Sequence, residues 1–140
     1  MHHKLFAYGT LQASDVMKTV TGEILRGVAG HLPGYARYSV KGTEYPGIIA
    51  SPDHETPGIL YSDISEEKFQ ILDRFEGEYY ERQLLKIKLS DGPTTNAWAY
   101  VFRDEYKNLL SDELWDYEEF LKSGLVRFME GYVVDRTSAF

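Results

Sequence analysis

The spacing of apolar and polar positions changes several times along the chain, and each change marks an element. Residues 4–8 alternate weakly and predict a first buried strand that breaks at Gly9. Residues 22–29 and 35–40 predict two further strands separated by Gly and Pro turns. Tyr45-Pro46-Gly47-Ile48-Ile49-Ala50 runs through a turn into a short strand, and Ser51-Pro52-Asp53-His54 predicts another turn. Gly58 to Tyr61 reads as a strand leading into the strongest helical pattern, where Phe69, Leu72 and Phe75 recur every three residues. Ser65 suits the N-cap of that helix, and Ile64 is placed to staple Phe69. Glu66 and Glu67 suit its positive first turn, and Gly77 its end. Residues 84–89 and 97–102 follow as strands joined across Asp91-Gly92-Pro93. A second helix is expected from a cap at Ser111, with Leu110 stapling Trp115, and an end before Gly124. From Leu125 to Val134 two patterns compete: Phe128, Met129 and Tyr132 suit a helix, whereas Tyr132-Val133-Val134 suits a strand.

This succession predicts an α+β fold: a curved, mostly antiparallel sheet or barrel with two or three helices packed on it. No repeat or linker divides residues 1–140, and the length suits one domain. With no cysteine there is no disulfide framework, thiolate nucleophile or Cys-based zinc site, and a reducing cytoplasm is the expected location. The formal charge is −7 and the basic residues are scattered, so neither nucleic acid nor a membrane is an expected partner. No segment reaches the ~20 apolar residues of a membrane span. Eleven tyrosines and seven phenylalanines are enough to fill a β-rich core and to line a pocket as well.

Two segments carry candidate chemistry. Glu76 falls in the last turn of the first helix, where the macrodipole is negative, beside the apolar surface of Phe75, Tyr79 and Tyr80. Desolvation and helix carbonyls raise a carboxylate pKa, the direction a general acid or base needs near neutrality. The plainer alternative is a solvated Glu ahead of a Gly cap. Tyr8-Gly9-Thr10-Leu11 ends the first strand at a glycine, which permits positive φ and close backbone approach, so the following amides can form an anion nest. Its plainer alternative is a strand-ending turn. The histidines at 2, 3, 31 and 54 have no ligand spacing, so no metal and no cofactor are expected, and no Ser lies in a G-x-S-x-G elbow. Asp112, Glu113, Asp116, Glu118 and Glu119 read as the solvated face of the second helix.

In order along residues 4–103, these segments resemble the gamma-glutamylcyclotransferase-like family. The matching elements are Leu5-Phe6-Ala7-Tyr8-Gly9-Thr10-Leu11, Tyr45-Pro46-Gly47-Ile48, Gly58-Ile59-Leu60-Tyr61, Leu72-Asp73-Arg74-Phe75-Glu76-Gly77, Tyr80-Glu81-Arg82 and Ala97-Trp98-Ala99-Tyr100-Val101. The resemblance implies a small β-barrel with flanking helices and a cavity beside the first-strand turn. It implies that Tyr8 to Leu11 bind the glutamyl end of a small gamma-glutamyl substrate and that Glu76 is the catalytic carboxylate, with Tyr80 placed among the substrate-binding residues. The reaction it implies releases an amine or amino acid and closes the glutamyl group to 5-oxoproline. A binding module that keeps the pocket without the chemistry is the alternative. Glu78 and Glu81, in a short segment after Glu76, are expected to raise the Glu76 pKa further.

Overall fold

Two long strands supply the frame on which the rest of the chain is hung. The computed structural model describes residues 3–138, with side chains as far as Gly131; His2 lies outside the described residues. The elements are β1 (Leu5–Ala7), α1 (Ser14–Thr21), β2 (Gly27–Val40), β3 (Pro46–Tyr61), α2 (Glu66–Glu76), β4 (Tyr80–Leu89) and β5 (Thr94–Phe102). They are followed by β6 (Leu110–Leu114), α3 (Tyr117–Glu119) and α4 (Leu125–Ser138). Antiparallel pairing joins β1 to β3, β3 to β2, β2 to β4 and β4 to β5. A parallel contact of β5 with β1, Leu5 opposite Trp98, closes the ring. The result is a five-stranded mixed barrel, with β6 added beside β2 through Tyr38 and Val40. Closure leaves the five strands no long open edge. The α+β barrel expected from the sequence is the observed fold.

Strand alternation divides the core in two. Phe6, Leu32, Ile48, Leu60, Ile87 and Ala97, from all five barrel strands, are buried in one cluster. The opposite faces, with Leu5, Ala7, Tyr61, Tyr100 and Phe102, join the helical residues Val16, Met17, Phe69, Leu72 and Phe120 in a second. α2 follows its sequence signals. The Ser65 side chain accepts from the Lys68 amide at 3.2 Å, and Gly77 caps the C-terminus at φ +83° with its N–H on the Asp73 carbonyl.

Several expectations are corrected. α1 is absent from them, although Val16, Met17 and Val20 bury one face and Gly22 (φ +84°) ends it. β2 starts at Gly27 rather than at residue 22 and runs without a break through residues 30–35. Ser51 to His54 do not end a strand: they lie within β3, where four residues pass a single residue of β2, since Pro33 pairs with Glu55 and Tyr35 with Ala50. Ser111 caps no helix. Residues 110–114 pair with the free side of β2, which also places Asp112 and Glu113 on a strand, and the helix starts one step later with Asp116 accepting from the Glu119 amide at 3.2 Å. Nor does the helix stop before Gly124. It continues through a π-helical turn (Phe120–Gly124) into α4, so residues 125–134 are helical. Gly124 serves close approach instead: a Cβ there would lie 2.8 Å from Glu44 Oε2.

Candidate functional site

The first side of the site is the turn after β1. Tyr8 sends its ring into the barrel interior, where its hydroxyl donates to the Tyr100 carbonyl. Its own carbonyl accepts from Arg37 Nη1 at 2.7 Å and from Gln12 Nε2 at 2.8 Å. Gly9 opens a single 3₁₀ turn (Thr10–Gln12), and its carbonyl accepts from the Gln12 amide at 3.1 Å. Because a peptide unit is planar, with N–H opposite C=O, fixing these two carbonyls turns the Gly9 and Thr10 amides the other way. Those amides also open the turn, where they have no carbonyl of the turn to donate to. Gly9 does not use positive φ (φ −121°), contrary to the role foreseen for it. It is small because a Cβ would sit 3.0 Å from Pro46 Cγ, and this contact joins the Tyr8–Leu11 turn to Tyr45-Pro46.

The second side is the end of α2. Glu76 is its last residue, and the Gly77 cap turns the chain directly into β4. Burial, with the nearby Asp73 charge adding to it, pushes the Glu76 carboxyl up to about 8. The residue keeps partial exposure, which it has through the cavity it lines. Asp73 is fixed by a forked contact with Arg82 (Nε–Oδ1 2.9 Å, Nη2–Oδ2 3.3 Å) and by the Tyr100 hydroxyl at 2.7 Å. Arg82 in turn lies over the Phe69 and Trp98 rings. The charge that matters is therefore Asp73, one helical turn before Glu76. Glu78 and Glu81 are exposed and do not perturb Glu76 as expected. Tyr80 hydrogen-bonds the Pro46 carbonyl at 2.7 Å, which brings β4 against the Tyr45-Pro46 corner.

These parts meet. Tyr8, Gly9, Thr10, Leu11, Glu76 and Tyr80, the six residues singled out from the sequence, line one recess together with Tyr45, Pro46 and Tyr100. The recess is narrow, with room for little more than a water. It adjoins a wider mouth that opens to solvent, and Thr10, Tyr45, Glu76 and Tyr80 line both spaces. α4 supplies the outer wall with Arg127, Phe128 and Gly131. The sequence reading missed Arg37, Gln12, Asp73, Tyr100 and Phe128. Gln12 and Asp73 sit within a turn of predicted residues, so helical spacing was the available signal. For Arg37 and Phe128 no local signal exists, because long-range packing brings them in.

A family model described as "Gamma-glutamyl cyclotransferase, AIG2-like" matches residues 5–119, and the chain belongs to that family. Among curated relatives, AIG2-like protein D of Arabidopsis thaliana is 29% identical over 132 residues, 91% of this chain and 85% of the relative. AIG2-like protein B of the same plant is 28% identical over 131 residues, covering 93% and 76%. Among solved structures, an Arabidopsis thaliana protein determined in solution superposes with a TM-score of 0.72 at 26% identity, over 93% of this chain and 79% of that one. A structure titled gamma-glutamyl cyclotransferase shares the fold at a TM-score of 0.64 and 17% identity, over 72% and 66%.

Proposed function

We propose that this chain is a gamma-glutamyl cyclotransferase that releases 5-oxoproline from a gamma-glutamyl amine or amino acid, with Glu76 as general base and then general acid. One observation carries the reading: a desolvated carboxyl and the residues of the Tyr8–Leu11 turn line a single recess. The nucleophile is the substrate's own α-amine, so the chain needs no Ser or Cys. Ionised Glu76 takes a proton from the α-ammonium. The freed amine attacks the γ-carbonyl carbon, a C–N bond forms, and a tetrahedral centre develops. Glu76 then returns a proton to the departing nitrogen as the original amide C–N bond breaks. The ring nitrogen sheds its second proton, which the released amine takes up, so the products are 5-oxoproline and a protonated amine, and no water is consumed.

Holding the α-amine against the γ-carbonyl makes the attack intramolecular, where effective molarities of ~10⁵ M or more are available. The amides of Gly9 and Thr10 serve the α-carboxylate or the developing oxyanion. Tyr8, Leu11 and Tyr80 wall the glutamyl head once the narrow recess widens to admit it. Since Glu76 sits near 8, turnover rises with pH up to that region, where the base form fills. The test is 5-oxoproline release from a panel of gamma-glutamyl amino acids and amines, comparing wild type with Glu76→Gln. Wild-type turnover lost by at least ~100-fold in Glu76→Gln supports the reading. An equally active Glu76→Gln excludes the mechanism, and ligand-induced thermal stabilisation without turnover identifies a binding module.

A further inference from the structure

The wide mouth outside Glu76 is built from different parts of the chain than the recess, and its chemistry is different. Phe128 of α4 stands edge-on to Tyr45 (6.4 Å between ring centroids) and to Phe75 (6.2 Å), so three rings from three separate elements converge on it. The charges at its rim neutralise one another: Arg127 grips Glu44 with Nε on Oε1 at 2.7 Å and Nη2 on Oε2 at 3.3 Å. Gly131 leaves a bare patch on the helical wall, where a Cβ would meet no described atom within 4 Å. The family model ends at residue 119, so α4 lies outside the segment it matches.

We propose that this mouth is the leaving-group subsite and that it selects amines with an aromatic or apolar body and no formal charge of their own. The inference rests on the cyclotransferase reading. The recess must widen to admit a glutamyl head; the scissile amide then lies at the junction lined by Thr10, Tyr45, Glu76 and Tyr80, and the group beyond it projects into the mouth. Rings favour a flat or apolar occupant. A charged one finds both rim charges already engaged and gains no ion-pair partner there.

The experiment compares kcat/KM for 5-oxoproline release from gamma-glutamyl-phenylethylamide, gamma-glutamyl-ethylamide and ε-(gamma-glutamyl)-lysine, using the full chain. Wild type is expected to prefer phenylethylamide over ethylamide by about tenfold or more, mostly through KM, the discrimination typical of an apolar pocket. Phe128→Ala should reduce that ratio to near one, and Phe128→Leu should restore part of it. Because Phe128→Ala can loosen α4, Gly131→Leu provides a second readout: it keeps Phe128, fills the mouth, and should raise KM for phenylethylamide more than for ethylamide. Equal kcat/KM for the two amides in wild type, a preference for the charged lysine conjugate, or a ratio indifferent to both positions overturns the subsite while leaving the reaction standing. Failure of wild type to turn over any of the three overturns both.

Discussion

Glu76, proposed here as the acid–base carboxyl, is a side chain whose burial comes at the expense of stability. Its carboxyl titrates near 4.5 when unfolded and near 8 in the folded chain, so between those values the unfolded state ionises while the folded state holds its proton. Stability from this group is complete below about 4.5, falls as pH rises, and is fully lost above about 8. Glu76→Gln removes that titration. It should therefore be more stable than wild type at pH 8, by about 1–3 kcal/mol, with the gap closing by pH 4.5; urea melts at the two pH values check this. Asp73 makes a separate contribution, since its charge adds to the burial effect on Glu76. Asp73→Asn should shift the acidic limb of the pH–rate profile below its wild-type position, and an unmoved limb would show that Asp73 does not act on Glu76.

At the level of elements, legibility followed agreement between local signals. For α2 the cap at Ser65, the Phe69–Leu72–Phe75 stripe and the stop at Gly77 all agree, and the helix is where they put it. Residues 110–114 are the opposite case. A capping residue at Ser111 and apolar positions nearby fit a helix, yet the unpaired side of β2 offers hydrogen bonds that no sequence window reveals, and pairing wins. The turn after β1 was singled out for a backbone conformation that it does not adopt. Its glycine is required by the approach of Pro46, 37 residues away in sequence, and not by backbone conformation. Gly9→Ala forces the turn and the Tyr45-Pro46 corner apart, since contacts of 3.0 and 3.1 Å are tighter than packed carbons accept. The expected loss is about 1–3 kcal/mol in a urea melt, accompanied by weaker binding of 5-oxoproline. Gly22→Ala strains a helix end with no cavity nearby, and so should destabilise without changing that binding.

Across the molecule, barrel closure assembles the site. β1 is only three residues long, yet it pairs with β3 on one side and β5 on the other, which pins the Tyr8–Leu11 turn at the rim. β3 then leads into α2, whose end carries Glu76 back to the same rim from 65 residues further along the chain. The sequence order of the motifs made the fold and the inner recess readable. The mouth was not readable, because α4 reaches it through long-range contacts, Phe128 on Phe75 and Tyr45 and Arg127 on Glu44, that no local window reveals. The central claim is that Glu76 and the amides of residues 9–10 form one site around a glutamyl-derived ligand. A pH titration followed by NMR, recording the Glu76 side-chain carboxyl and the Gly9 and Thr10 amides with and without 5-oxoproline, tests it most directly. A Glu76 midpoint near 8 and ligand-induced shifts at all three residues are the expected result. A midpoint near 4.5, with amides indifferent to 5-oxoproline, would contradict it.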